Sequence, residues 1–464
     1  MDKSIRLSIL SLTITILSAC TVGPEYVAPT QVEKVRLEHP YQQALHATTW
    51  WQAFDDEELD RLVALALLEN RTLVRAKANV ERAAAIFSEA DNDFLPNASI
   101  DADYQAVRNT SIYTTDDGVT TRGNSLGTSL NWDFDLFGKI SRATEAAQAD
   151  TQQAQALLHN AQVQVISQVA MTYGDVRNAQ QRLTLAEQNL ENVQKTLALV
   201  QARVNSGFSS EFELARIEAQ YYSINSTLPR FQSALFTAQS TLSALLGKAP
   251  NELVLSDVTK LPQLKQPVSI ENSQHYLIFR ADVAAAERRL AASIANIGVA
   301  TADLYPNLSV SGFLGFVSNP GLNLNNASQG WSIAPRLSWN IGDIASTKAR
   351  IRAANATAKM ALADFEKKVF EAVNEIQLSL QEYHLTREQH LLTEQQYKAS
   401  TKAMIIAQVR YEAGSGEFYD LLEAERDWLT SRDQLAQLEL AGFAKLVNIY
   451  RVFGGSLVLQ QPAV

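Results

Sequence analysis

Cysteine is nearly absent: Cys20 is the single one among 464 residues. That excludes a disulfide framework and any metal or iron–sulfur site built from several thiolates. Histidine is scarce too, with six residues (His39, His46, His159, His275, His384, His390) and no spacing suited to a metal. No run of 18 or more apolar residues occurs, so no segment reads as a bilayer-spanning helix. The 40 basic side chains are outnumbered by 50 acidic ones, and a net charge of −10 offers nucleic acid no basic face. The short signatures of serine hydrolases, zinc proteases and phosphate-binding loops are missing. Gly414-Ser415-Gly416 is only a weak phosphate-loop lookalike, because it follows a helix with no strand before it. No catalytic residue, metal site or nucleic-acid partner is expected from a chain that otherwise has ordinary globular composition, 46% apolar and 19% charged.

What is present begins at the amino end. Lys3 and Arg6 precede an apolar run over 7–17, too short to span a membrane but fitting the core of a secretory signal. The run ends in Leu17-Ser18-Ala19-Cys20, which is similar to the bacterial lipobox. In that motif the cysteine thiol takes a diacylglycerol before cleavage, an amide-linked acyl chain follows, and two or more chains give stable anchoring. Residues 1–19 are therefore expected to be a lipoprotein signal peptide and Cys20 the lipidated start of a periplasm-facing chain, with Thr21 compatible with outer-membrane sorting. The bland alternative is a buried free thiol at Cys20.

The remainder repeats once, at an offset of 207 to 210 residues. Asp93-Phe94-Leu95-Pro96-Asn97 recurs as Asp303-Leu304-Tyr305-Pro306-Asn307, and Trp132 as Trp339. Gly207, Glu213, Leu214 and Glu218 recur as Gly414, Asp420, Leu421 and Glu425. Each half reads as helix, strand hairpin, very long helix, turn, helix. The first repeat covers 55–250, with a hairpin at 97–135, a long helix at 139–205 and a returning helix at 210–246. The second covers 271–455, with a hairpin at 307–341, a long helix at 344–413 and a returning helix at 417–453. Residues 20–54 and 251–270 are segments outside the repeats, and 456–464 is a tail. All 12 prolines lie outside the long helical windows, whose Ala, Gln, Leu and Glu favour helix. At about 1.5 Å per residue each would reach on the order of 100 Å, which suits coiled-coil pairs. Gly207 and Gly414 mark the turns, and Pro229 predicts a kink or a join in the first returning helix.

Four segments alternate with period two instead. Ile100, Ala102 and Tyr104 oppose Ser99, Asp101 and Asp103; Leu126, Leu130, Trp132 and Phe134 oppose Ser129, Asn131 and Asp133. Leu308, Val310, Leu314 and Phe316 oppose Ser309, Ser311 and Gly315; Trp331, Ile333, Leu337 and Trp339 oppose Ser332, Arg336 and Ser338. Each is about 10 residues long, enough for a tilted strand to cross a bilayer. Tyr104, Trp132, Trp331 and Trp339 suit interfacial aromatic belts. Alternation alone also fits a half-buried hairpin packed on helices. Four strands cannot close a barrel, and an open edge in lipid leaves backbone groups unsatisfied. Several chains must then share one barrel, apolar side to lipid and polar side to a wet lumen, with Arg108–Gly123 and Ser318–Gly330 as the outer loops.

The lipobox, the duplicated halves, the Pro-Asn entries to strands and the Gly-centred helix turns together resemble the TolC-like outer-membrane efflux-channel family, in its lipoprotein OprM/NodT-type branch. The resemblance covers nearly the whole mature chain. It is carried further by Cys20-Thr21-Val22-Gly23-Pro24-Glu25-Tyr26, by Trp50-Trp51, by Arg280-Ala281-Asp282-Val283 and by Trp132-Asp133-Phe134-Asp135-Leu136-Phe137-Gly138, where only Asp133 departs from the common pattern. It implies a mainly α fold with a small β part, a homotrimer whose helices form an α-barrel and whose strands form a 12-stranded β-barrel, and a smaller equatorial belt to which 25–51 and 247–270 belong.

The resemblance also implies no enzymatic activity and no cofactor beyond covalent lipid at Cys20. The partners it implies are outer-membrane lipid, a periplasmic adaptor and an inner-membrane pump that supplies the energy, and the cargo would be drugs and other amphipathic toxins. The gate would be the periplasmic helix turns, with Arg410, Tyr411 and Glu423 matching family positions that hold the tip shut and Asp420 forming an acidic ring. Gly207, Phe208, Gly414 and Ser415 lie in the turns that would dock the adaptor. Simple solvated helix-end charges are the plainer reading of the same residues. A pore-free structural lipoprotein, or a channel for protein-toxin export, remains open.

Overall fold

Proline-free runs of strong helix formers give helices limited only by where a capping residue or a glycine intervenes. The computed structural model describes residues 21–29, 31–32, 35–36, 49–109, 119–255, 260–262, 280–318 and 324–455. Cys20 and the expected signal peptide lie outside the described residues, as do most of 25–51 and 251–270. In chain order the elements are β1 (Gln31–Val32), β2 (Val35–Arg36), α1 (Glu57–Glu69), α2 (Arg71–Asn92), β3 (Asn97–Asn109), β4 (Val119–Phe134) and α3 (Lys139–Asn205). There follow α4 (Glu211–Asn225), α5 (Thr227–Leu245), α6 (Ala281–Ala302), β5 (Asn307–Ser318), β6 (Gln329–Ser338), α7 (Ile344–Glu412) and α8 (Phe418–Val452). The chain divides into two compact units, one of Met1–Pro29, Asn79–Gln155 and Ala285–Glu366, the other of Thr30–Ala78, Ala156–Ala284 and Lys367–Val464.

The first unit holds an antiparallel sheet of order β3-β4-β5-β6. Two hairpins supply it, one from each repeat, and the β4–β5 ladder joins the repeats with Trp132 opposite Val310 and Leu130 opposite Gly312. The strands run past the expected bounds into both outer loops. Arg108–Gly123 is not all loop, because the β3–β4 ladder continues to Asn109 opposite Val119; Val119, Thr120 and Thr121 are β-branched and favour extended backbone. Likewise β6 begins at Gln329, inside the second expected loop.

Apart from the short β1–β2 pair, the described part of the second unit is helical. Asp56 starts α1 by accepting from the Leu59 amide at 3.0 Å. Asn70 splits α1 from α2: its Oδ1 accepts from the Thr72 amide at 2.9 Å, while its Nδ2 donates to the Leu245 carbonyl at 2.7 Å. The first returning helix is two helices, α4 and α5, joined at Ser226. Pro229 falls in the first turn of α5, where a missing N–H leaves no bond broken. The long helices pair with their returning partners, as in the Lys445–Glu382 ion pair at 2.7 Å between α8 and α7. A further seam joins α3 to α8: Arg182 grips Asp433 with two bonds of 2.8 and 3.0 Å, and Asn178 donates to the Ala436 carbonyl at 2.7 Å. Gly174 lies on that seam, where a β-carbon would meet the Phe443 ring at 2.7 Å. Trp50 stacks on Tyr450 at 4.7 Å and Phe54 packs on Phe443 at 5.1 Å, so the expected landmark Trp50-Trp51 is buried core.

Candidate channel wall, anchor strap and helix turns

Register settles which side chains share a face of the sheet, because side chains alternate strictly along a strand. Ile100 lies opposite Thr128, Ala102 opposite Leu126, Leu126 opposite Phe316, Leu314 opposite Trp331 and Leu308 opposite Leu337. The four apolar sets therefore form one continuous face. It is bare in the single chain, with Ile100 82% and Trp331 74% exposed. The opposite face carries Ser99, Asp101, Asn131, Asp133, Ser309 and Arg336, with Asn307 donating to Asp133 at 3.2 Å and Ser311 to Asn131 at 3.2 Å. Among the described strands one aromatic residue, Phe313, lies on this polar side, opposite Ser129. Gly127 and Gly315 are paired beside it, and a β-carbon at Gly127 would meet the Phe313 ring at 2.7 Å. Strands β3 and β6 are edges with no further partner strand among the described residues.

Both repeats anchor the base of the sheet in the same way. The Trp132 indole donates to the Phe94 carbonyl at 2.9 Å, and the Trp339 indole to the Leu304 carbonyl at 3.0 Å. Each acceptor belongs to the turn that links a helix to its strand, so the duplicated tryptophans tie strand to helix and leave their rings on the apolar face. An indole with a satisfied N–H and an apolar body suits a membrane–water interface.

The Trp132–Gly138 motif then starts α3. Asp135 accepts from the amides of Ile140 and Ser141 at 2.9 and 2.8 Å and from the Ser141 hydroxyl at 2.6 Å, covering orphan donors of the first turn. Residues 21–26 are strapped across this point. The Val22 amide donates to the Phe137 carbonyl at 3.2 Å, Arg142 Nε donates to the Val22 carbonyl at 3.3 Å, and Thr21 occupies the space that a β-carbon on Gly138 would need. Tyr26 completes the strap by donating to the buried Glu287 carboxylate. The residue after Cys20 is thus fixed at the foot of strand β4.

In the second unit the two turns share one geometry. Gly207 and Gly414 have φ of 75° and 73°, a left-handed conformation that costs a residue with a β-carbon about 1 kcal/mol or more. The Phe208 amide returns to the Arg203 carbonyl at 2.8 Å and the Ser415 amide to the Arg410 carbonyl at 2.9 Å, closing both helices alike. Ser210 and Glu213 then form a reciprocal capping box that launches α4. Gly207, Phe208, Gly414 and Ser415, the residues expected in the docking turns, are all exposed.

Of the four residues expected at the gate, Arg410 and Asp420 are exposed, Glu423 is half-buried and Tyr411 is 3% exposed. Within this chain Glu423 takes Arg426, at 2.8 Å, rather than Arg410. Tyr411 is held from the first repeat: Arg203 donates to its carbonyl at 3.1 Å and lies 4.7 Å over its ring. Tyr411 also joins Val193, Val200, Leu214, Ile217, Phe418 and Leu421 in one apolar cluster under the turns. Two residues of this region were not singled out as gate residues from sequence. Arg203 is the repeat counterpart of Arg410, and Glu425 is buried beneath the cluster, where desolvation pushes its carboxyl up to about 7. The duplication was the signal that could have found both. No group of acidic, histidine or cysteine side chains suited to a metal ion occurs among the described residues.

Comparison with known proteins converges on one description. A family model for outer membrane efflux protein matches residues 62–248 and 273–455, one stretch in each repeat. The chain is 28% identical over 458 residues to cation efflux system protein CusC of Escherichia coli K12, covering 95% of this chain and 97% of that one. It is 26% identical over 474 residues to the probable outer membrane lipoprotein SilC of Salmonella typhimurium, covering 98% and 99%. Among solved structures, the outer-membrane channel OprN superposes with a TM-score of 0.87 at 35% identity, covering 94% of this chain and all of that one.

Proposed function

Because the chain belongs to the outer membrane efflux protein family and is an outer-membrane channel of an efflux system, we propose that it conducts as a homotrimer, anchored by lipid at Cys20 and closed at rest by its helix turns. The observation that carries this reading is the four-stranded sheet, apolar on one face, polar on the other, and open at both edges. Lipid cannot hydrogen-bond the free edges of β3 and β6, so each must meet the edge of another copy. Two copies would give eight strands, whose interior side chains fill, whereas three give twelve and leave a wet bore. The polar face with Ser99, Asp101, Asn131 and Arg336 then lines the bore.

Cargo passes without chemistry. The wall supplies only polarity and width, and the driving force comes from an inner-membrane pump reached through a periplasmic adaptor. The turns around Gly207 and Gly414 present Phe208, Phe212 and Tyr419 to that adaptor, all well exposed. The cargo is of the small amphipathic class, drugs and toxins. The strap holds Thr21 at the foot of β4, which supports lipid on the preceding residue entering the leaflet that the Trp132 and Trp339 rings meet.

Sizing of the detergent-extracted, full-length protein combined with current measurement in planar bilayers tests the proposal. A trimer that gives discrete conductance steps supports it. A monomer that carries no current overturns it.

A further inference from the structure

Glu218 and Glu425 are counterparts in the two repeats, yet Glu218 is exposed while Glu425 is 5% exposed. Glu425 lines a cavity of about 160 Å³ enclosed by three helices, with Lys195 and Leu199 on α3, Tyr411 and Glu412 on α7, and Leu421 and Trp428 on α8. Three polar atoms of buried side chains on this cavity have no partner among the described residues: Glu425 Oε2, Trp428 Nε1 and the Tyr411 hydroxyl. The charged neighbours do not neutralise the carboxylate. Lys195 is committed to Glu191 at 2.8 Å in a largely exposed pair, Glu412 accepts from Gln408 at 3.0 Å, and Tyr411 is covered by Arg203 on its ring. From α8 itself Leu421 and Trp428 complete the lining, and the Arg432 guanidinium lies 5.2 Å from the centre of the Trp428 ring.

We infer that Glu425 is a proton-binding site that couples closure of the helix turns to pH. As a neutral acid it can remain between α3, α7 and α8 at little electrostatic cost. As a carboxylate without a counter-charge it is strongly disfavoured there and is relieved when α8 separates from its neighbours and water reaches it. The position is directly beneath the Arg203–Tyr411 contact, since Tyr411 and Leu421 belong both to the cavity lining and to the apolar cluster under the turns. The direction of the effect follows from linkage. Burial holds the closed form's carboxyl at about 7, above its ordinary 4.5. Between those two values the closed form binds a proton that the separated form does not. Closure is therefore strongest below about 4.5 and weakens as pH rises, with the whole loss complete near 7 and no further change above it.

The inference rests on the reading of the helix turns as the closing element, and the experiment separates the two. Full-length acylated protein is reconstituted in planar bilayers, and open probability is recorded from pH 4.5 to 8.5 for the native chain, Glu425→Gln and Arg203→Ala. The native closed-to-open ratio should fall by up to about tenfold per pH unit between 4.5 and 7 and then level off. Glu425→Gln, which keeps the shape but cannot ionise, should stay at the acid-side ratio throughout. Should that variant fail to assemble, Glu425→Met is recorded in its place with the same expectation. A native-like pH response in the variant recorded overturns the proton site. Arg203→Ala that conducts no better than the native chain at any pH overturns the turns as the gate. Open Arg203→Ala channels together with an unchanged pH response at position 425 would remove the proton site alone.

Discussion

Arg203, from the end of the first long helix, donates to the Tyr411 carbonyl at 3.1 Å and lays its guanidinium 4.7 Å from the centre of the Tyr411 ring. One side chain thereby joins the turn of the first repeat to that of the second. A hydrogen bond from a cation to a carbonyl and a cation–π contact are each worth about 1–2 kcal/mol when partly desolvated. The contact thus belongs to both repeats, and separating the turns must break it.

Removal of that contact should leave the trimer intact and open the turns. Arg203→Ala is expected to raise single-channel conductance severalfold in planar bilayers, with unchanged trimer mobility on sizing. Arg203→Lys keeps the charge but not the planar stack and should fall between the two. If Arg410 and Glu423 link neighbouring copies instead, charge removal at either should raise conductance as well, and the effects of the two variants should not add.

Glycines opposite an aromatic ring make a second prediction. Gly127 and Gly315 are paired on the polar face, and the Phe313 ring covers them. A β-carbon at Gly127 would come within 2.7 Å of both that ring and the Leu314 carbonyl. Gly127→Val should therefore distort the β4–β5 ladder, costing about 1–3 kcal/mol as an overpacked site does. The readout is loss of the heat-sensitive trimer band on gels run without boiling. Phe313→Ala combined with Gly127→Val should recover part of that loss, because the ring is only one of the two obstacles.

The paired indole bonds offer a test of repeat symmetry. Trp132→Phe and Trp339→Phe each delete one N–H donor to a helix-end carbonyl while keeping an apolar ring. Each should lower thermal stability by about 1 kcal/mol, by similar amounts, and the double variant should show nearly the sum. Unequal effects would mean that the two hairpins are not equivalent in the assembled barrel.

Strand faces were legible in the sequence because parity alone decides them: Trp331, Ile333 and Leu337 share a face in any register that keeps the strand regular. The turns were legible because Gly207 and Gly414 follow long proline-free windows of strong helix formers and hold the same place in each repeat. Phe313 was not legible, because its tolerance on the polar side depends on Gly127, which only strand pairing brings beside it. Nor was the choice between counterparts. Arg203 and Arg410 occupy the same place in the duplicated unit, as do Glu218 and Glu425, and local pattern treats each pair alike. Packing makes them different: Arg203 on α3 lies against Tyr411 of α7 and Glu425 is buried among α3, α7 and α8, while Arg410 and Glu218 stay exposed. Duplication gives the positions; the asymmetric burial that follows gives them separate roles.

The strap gives the last prediction. The proposed lipid on Cys20 would hold the chain to the membrane whether or not residues 21–26 are docked, so anchoring and docking can be tested apart. Gly138→Val forces Thr21 out of the space it occupies, since any β-carbon there comes within 2.7 Å of it, and the residue's φ of 77° adds strain. Cys20→Ser removes the thiol that the proposed acylation needs and leaves the strap. In cells fed radiolabelled palmitate, Cys20→Ser should lose the label completely, while Gly138→Val should keep it. Purified Gly138→Val should in turn unfold at lower temperature, because Arg142 and Phe137 lose their contacts to Val22 together with the Thr21 contact, and Cys20→Ser should unfold at the native temperature in the same detergent. Label retained by Cys20→Ser would place the lipid elsewhere. Equal melting of Gly138→Val and the native chain would mean that the strap contributes nothing to holding the start of α3.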